Sequence, residues 1–104
     1  MAKQITLTSD NNLLQLPHAL FFPGRIHIMK ILYSEGGIPY VELRKRLQIA
    51  DGSLVANFRY LEKAGFTTYQ KQIRGRKTVT TYSITEKGRK AFEDFRKHML
   101  CVLT

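Results

Sequence analysis

Apolar positions recur at helical spacing through most of the chain from Pro23 onward. Ile26, Ile28, Met29, Ile31, Leu32 and Tyr33 make a segment that is apolar over most of its surface. That pattern predicts a central helix, with Pro23 in its first turn and Gly36-Gly37 at its end. Pro39 restarts a helix on which Val41, Leu43 and Leu47 turn inward and Glu42, Arg44, Lys45 and Arg46 largely outward. A short turn around Gln48-Ile49-Ala50 leads to a third helix over 51–64, with Asp51 as its expected N-cap and Gly65 as its stop. Phe66 to Ile73 and Thr78 to Ile84 are rich in Thr, Tyr, Val, Ile and Phe and read as strands, joined by a turn containing Gly75. Thr85 then caps a last helix over 85–103, supported by Glu86 in its first turn. On it Ala91, Phe92, Phe95, Met99 and Val102 fall at helical spacing, opposite Arg89, Lys90, Glu93, Arg96 and Lys97.

The start of the chain is less patterned. Residues 1–9 alternate weakly at Ile5 and Leu7 and read either as an edge strand or as disordered chain. Ser9 or Asp10 would cap a short helix that includes Leu13, Leu14 and Leu16 and ends at Pro17. No repeat, low-complexity run or long linker divides the sequence, so the expectation is one domain over 1–104, α+β but mostly α.

Read at about 100° per residue, the third helix has two sides. Leu54, Phe58 and Leu61 cluster on one, and Gly52, Ser53, Ala56, Arg59, Tyr60 and Lys63 lie on the other, with Asn57 beside the apolar stripe. Small residues near the start and long donors beyond suit a helix that approaches base edges closely.

Charge gives these elements a partner. The 104 residues carry 17 Lys and Arg against 8 Asp and Glu, a formal net charge of +9. Residues 1–24 contain only Lys3 and Asp10, so the excess lies in residues 25–104. Between Lys63 and Thr85 there is no acid, while Lys63, Lys71, Arg74, Arg76 and Lys77 are all cationic. A polyanion is the expected partner, and double-stranded DNA leads because the cations are interleaved with a helix and a hairpin. On the helix the candidate contacts are Gly52, Ser53, Ala56, Asn57, Arg59, Tyr60 and Lys63. Ser53 and Asn57 offer hydrogen bonds, and Arg59 a grip on guanine or phosphate. On the hairpin they are Lys71, Arg74, Arg76, Lys77 and Thr78, with Arg76 suited to a minor groove. Protecting an edge strand from aggregation would need fewer cations. Arg25, Arg44 and Lys45 are candidate phosphate contacts, with plain solvation an equal reading.

Three helices, a hairpin and a final helix compose a winged helix-turn-helix, and the sequence resembles the small single-domain regulators related to the MarR and ArsR types. The matching pieces are Pro23-Gly24-Arg25-Ile26, Val41-Glu42-Leu43-Arg44, Asp51-Gly52-Ser53-Leu54 and Leu61-Glu62-Lys63-Ala64-Gly65-Phe66. Lys71, Arg74-Gly75-Arg76-Lys77-Thr78 and Thr81-Tyr82-Ser83-Ile84-Thr85-Glu86-Lys87-Gly88-Arg89 complete them, and the resemblance covers roughly residues 17–98. It implies a third helix in the major groove and a wing on the adjacent backbone. It also implies a homodimer joined through terminal helices, which assigns Leu13, Leu14, Leu16, Phe92, Phe95, Met99 and Val102 to the interface. The family often carries Asn, then Ser or Arg, then His early on the recognition helix; this chain has Ser53, Val55, Ala56 and Asn57 there instead. The resulting expectation is a sequence-specific DNA-binding homodimer, a transcriptional regulator. The alternatives are an architectural, chromatin-type protein with little sequence preference, and a winged helix used for protein or RNA contact.

Other chemistry finds less support. No run approaches the ~18 apolar residues of a spanning helix, and the N-terminus lacks the charged-then-apolar order of a signal peptide. A cytoplasmic, nucleoid-associated protein is expected. The single Cys101 leaves no internal disulfide; it is either a bridge between the last helices of two subunits or a plain buried cysteine. His98 and Cys101 at i, i+3 are too few for a metal site, so no metal or cofactor is expected. The stripe Phe92, Phe95 and Met99 reads as dimer or domain core ahead of a small-molecule site, and no effector is indicated. The carboxylates are scattered, Gly36-Gly37 is a helix stop, and Ser, His and Asp show no nucleophile arrangement, so an enzyme is not expected.

Overall fold

The computed structural model of the protein describes residues 22–104. The elements run α1 (Pro23–Glu35), β1 (Ile38–Pro39), α2 (Tyr40–Leu47), α3 (Asp51–Lys63), β2 (Thr67–Arg74), β3 (Lys77–Ile84) and α4 (Glu86–Leu103). The expected strand or disorder over 1–9 and the short helix with Leu13, Leu14 and Leu16 lie outside the described residues. Among the described residues no helix is long and apolar enough to cross a membrane.

As its pattern predicts, α1 is central. It starts with Pro23 in its first turn, fully buries Ile28, Met29 and Leu32, and packs on α2, α3, α4 and β3. Tyr33 fastens it to α4. Its hydroxyl donates to Glu93 Oε2 at 2.6 Å, and its ring lies 5.1 Å from that of Phe92. The hydrogen bond to Glu93, with burial second, raises the Tyr33 phenol above its ordinary pKa.

Two residues of the α1–α2 connection form a strand that the sequence did not announce. Ile38 pairs with Tyr82 and Pro39 with Thr81, which makes β3 the middle strand in the order β1-β3-β2. Pro39 is tolerated because β1 is an edge. Helix α2 then begins at Tyr40, so its inward stripe is Tyr40, Leu43 and Leu47 at i, i+3, i+7. Val41, expected inward, sits one residue off that stripe and is exposed. Gln48 closes α2 in the left-handed region, and Ile49 and Ala50 complete a three-residue turn to α3.

The cap of α3 also differs from the expectation. Ala50 is the N-cap, its carbonyl accepting from the Leu54 N–H at 3.0 Å, and Asp51 is the first helical residue. The Asp51 carboxylate is drawn away from the helix end by Tyr40 and Arg44, as described below. At its other end α3 stops as predicted. Gly65 adopts φ +81°, the Phe66 N–H reaches the Leu61 carbonyl and the Gly65 N–H that of Glu62, both at 2.9 Å. That is the Schellman pattern, sealed by buried Leu61 and Phe66.

At the foot of the hairpin, the end of α3, both strands and the start of α4 meet. The Thr85 N–H donates to the Phe66 carbonyl at 3.0 Å. The Thr85 hydroxyl donates to the Gly65 carbonyl at 2.6 Å and accepts from the Gly88 N–H at 2.9 Å, which makes it the predicted N-cap of α4. Thr85→Ala should therefore lower stability by about 1–2 kcal/mol, read as a melting temperature lower by on the order of 10 °C, with Thr85→Ser near the parent. Equal melting of the Ala and Ser variants would show that the hydroxyl contributes nothing.

Candidate nucleic-acid interface

The outer side of α3 is built by subtraction. Leu54, Phe58 and Leu61 are buried against α1 and the sheet, which leaves Gly52, Ser53, Val55, Ala56, Arg59, Tyr60 and Lys63 exposed. Asp51, Gly52, Val55, Ala56, Arg59 and Tyr60 line one open concavity. Gly52 has open space where a Cβ would stand. Of the candidates on this helix, Gly52, Ser53, Ala56, Arg59, Tyr60 and Lys63 are exposed and Asn57 is not; Val55, named on the helix but not among the candidate contacts, is exposed beside them.

Asn57 is half-buried and turned toward α1. Its Oδ1 accepts from Arg25 Nε at 3.0 Å. Arg25 is the larger correction. Considered a solvated cation or a phosphate contact, it is only 8% exposed. Its guanidinium lies 3.8 Å from the centroid of the Tyr60 ring and 4.3 Å from that of Phe22. Aromatic faces and an amide acceptor replace the water that a buried cation loses.

The two other phosphate candidates are both exposed but differ in their partners. Arg44 Nη1 pairs with the Asp51 carboxylate at 3.1 Å, and Tyr40 donates to the same carboxylate at 3.0 Å. The acid at the rim of the concavity is thus screened by a guanidinium. Burial first, and the Asp51 carboxylate second, raise the Tyr40 pKa. Lys45 is in no salt bridge among the described residues. Arg46, by contrast, forms a bidentate pair with Glu35, whose carboxyl that hydrogen bonding holds below its ordinary pKa.

The hairpin tip is tighter than expected. Arg74 pairs with Lys77, so Gly75-Arg76 is a two-residue turn. Gly75 has φ +66° and Arg76 is not among the positive-φ residues, the type II′ pattern that glycine at the first position allows. The pairing register then sorts the cations. Tyr69, Lys71 and Ile73 stand opposite Tyr82, Thr80 and Thr78, all on one face. The foot of that face is fixed to α3, since the Tyr82 ring stacks on Phe58 at 3.8 Å. Burial, with the neighbouring Glu62 carboxylate second, raises the Tyr82 pKa, and burial raises that of Glu62. Arg74 and Lys77 lie on the opposite face with Gln72, whose Oε1 accepts from Arg74 Nη2 at 3.5 Å. Arg76 projects from the turn. Lys71 and Thr78 thus share the α3 side with Ile73, which is 81% exposed, and Arg74 and Lys77 take the other.

The stripe on α4 divides. Phe92 and Phe95, assigned to a dimer interface, are buried in the protomer's own core at 7% and 6% exposure; α1 packs on α4, its Tyr33 ring lies beside Phe92, and Ile31 belongs to the same core. Met99 is half-buried, and Leu100, Val102 and Leu103 are exposed. Cys101 is exposed as well, so it is not a buried cysteine of the protomer. Among the described residues no three of His, Cys, Asp and Glu converge as metal ligands.

Comparison with known proteins meets this geometry. The family model of the winged helix DNA-binding domain matches residues 25–103. An uncharacterized protein of Methanocaldococcus jannaschii is 34% identical over 74 residues, 68% of this chain and 77% of that one. The transcriptional regulator homologue protein from Pyrococcus horikoshii superposes with a TM-score of 0.82 at 26% identity, covering 93% of this chain and 95% of that chain. Lactococcus lactis ZitR, a zinc-responsive MarR family member, superposes at 0.63 with 18% identity, over 80% of this chain and 56% of its own, and shares the fold.

Proposed function

The chain belongs to the winged helix DNA-binding domain family, and we propose that it binds double-stranded DNA sequence-specifically, as a homodimer that regulates transcription. The observation that carries this reading is the exposed outer face of α3 beside a hairpin that holds cations on both faces and at its turn, with no acid from Lys63 to Thr85. The likeness to a transcriptional regulator homologue supports the regulatory role.

Each subunit sets the N-terminal half of α3 into a major groove. Gly52, Val55 and Ala56 let the backbone come close, and Ser53 and Arg59 reach base edges. Lys71, Arg74, Arg76, Lys77 and Thr78 hold phosphates beside the groove, joined by Lys45 and Lys63. Two half-sites about 34 Å apart then lie on one face of the duplex. The exposed end of α4 supports the dimer. Two such ends packed together would bury Leu100, Val102 and Leu103 and bring two Cys101 side chains near each other.

A second reading rests on the apolar character of the concavity, whose floor of Gly52, Val55 and Ala56 offers few hydrogen bonds. It is an architectural protein with little sequence preference. Duplex binding over a salt series, beside selection from random sequences, separates the two. A steep salt dependence with an enriched, roughly palindromic motif is expected. A steep dependence without a motif selects the architectural reading, and no binding at low salt overturns both. Against the selected site, Arg59→Ala should lose about 1–3 kcal/mol of discrimination at one base pair. Equal loss on every sequence would assign Arg59 to the backbone.

A further inference from the structure

Arg25 and its surroundings are left over from the interface. An arginine with 8% exposure is an unusual residue to keep in the first turn of a central helix. Among the described residues, its side-chain hydrogen bond and one of its two ring contacts go to α3, the helix whose outer face forms the concavity. Nε donates to Asn57, and the guanidinium carbon lies over the Tyr60 ring, with Phe22 as the other aromatic contact. The neighbouring Gly24 fits the same joint, because a Cβ there would stand 3.0 Å from Asn57 Nδ2. Tyr60 lines the concavity on α3, so one side of its ring meets Arg25 and the residue as a whole remains exposed.

We propose that Arg25 is a positioning residue for DNA recognition: by holding Asn57 and Tyr60 it fixes the orientation of the α3 face, and it sets sequence preference without itself neutralising a phosphate. This inference rests on the DNA-binding reading above. The chemistry requires arginine. Its guanidinium carbon lies over two aromatic rings while its Nε–H donates to the Asn57 oxygen; an ammonium, a compact point of charge without that planar fork, can make one such contact but does not span both at once. Asn57 therefore serves α3 from within, which accounts for a polar residue beside the apolar stripe. The loss expected on disturbing this joint is in preference between sequences, since the phosphate-binding cations are other residues, most of them on the hairpin.

The test has one arm without DNA and one with it. In the free protein the Arg25 Nε–H should give a resolved, slowly exchanging NMR resonance that Asn57→Ala abolishes and Asn57→Asp, which keeps an acceptor, retains. In binding, Arg25→Lys should lower the ratio of affinities for a selected duplex and a random-sequence duplex by about tenfold while the salt slope on the random duplex stays unchanged. Asn57→Ala, an alanine on an α-helix and therefore compatible with folding, should lower the ratio similarly and add little to Arg25→Lys; Asn57→Asp should restore it. A parental ratio in Arg25→Lys would overturn the inference, and so would a slope lower by about one unit in Arg25→Gln, which would make Arg25 an ordinary phosphate ligand. A parent protein with no preference between the duplexes fails at the underlying reading, which the parental arm alone reveals.

Discussion

Replacing Arg74, Arg76 and Lys77 together by alanine is expected to weaken duplex binding more than any change on α3, and nearly equally for all sequences. Each cation that neutralises a phosphate contributes about 0.9 to the slope of log affinity against log salt. One wing should thus remove about 2.7 units, and two wings engaged by a dimer about five. At roughly 0.1 M salt the loss is on the order of a hundredfold to a thousandfold for one wing. The magnitude of the slope change therefore also counts wings, and so reports whether one subunit or two contact the duplex. Arg76→Ala alone should remove about one unit per engaged wing. The three sites are exposed and their turn is set by Gly75, so melting temperature should hardly move. An unchanged slope in the triple variant would mean that the wing does not touch the phosphates, and the function would then have to rest on α3 alone.

Gly88→Ala should be the most damaging single methyl group added to this protein. A Cβ at Gly88 would stand 2.9 Å from the Phe66 carbonyl carbon and Cα, and closer still to the carbonyl oxygen. That oxygen already accepts the Thr85 N–H, and the chain on either side of it is held by the Gly65 turn and by the pairing of Thr67 with Ile84. Backbone on one side and a capped helix on the other leave no flexible group to yield. The expected cost is about 3 kcal/mol or more, which for a domain of this size lowers the melting temperature by roughly 12–24 °C. Gly52→Ala is the control. It adds the same methyl group in open space on α3 and should leave stability equal or raise it by up to about 1 kcal/mol. Urea or thermal unfolding of the two variants checks the pair, and a Gly88→Ala protein within about 1 kcal/mol of the parent would contradict the close approach.

These expectations draw on different depths of the sequence. Helices α1, α3 and α4, the Gly65 stop, the Thr85 cap and the hairpin were legible because each rests on a local signal. Helical periodicity, a glycine at a chain reversal and a hydroxyl before an acidic first turn all act within a few residues. The cationic, acid-free stretch from Lys63 to Thr85 was equally plain, since charge adds up without reference to fold. Three of the four described helices, the hairpin and the expectation of a polyanionic partner follow from those signals.

Tertiary structure alone decided which of the candidate side chains remain available. Strand β1 is two residues long and exists because β3 passes beside it, more than 40 positions later in the chain. Arg25 looks like any surface cation until Asn57 and Tyr60, more than 30 residues on, close around it. Phe92 and Phe95 could have served a partner or the protomer, and the core built on α1 claims them for the protomer. The sheet register, not the order of residues, separates Lys71 and Thr78 from Arg74 and Lys77. The physical reason is common to all four. Secondary structure and net charge depend on neighbours in sequence or on sums over it, whereas burial depends on which distant segment arrives to take the place of water.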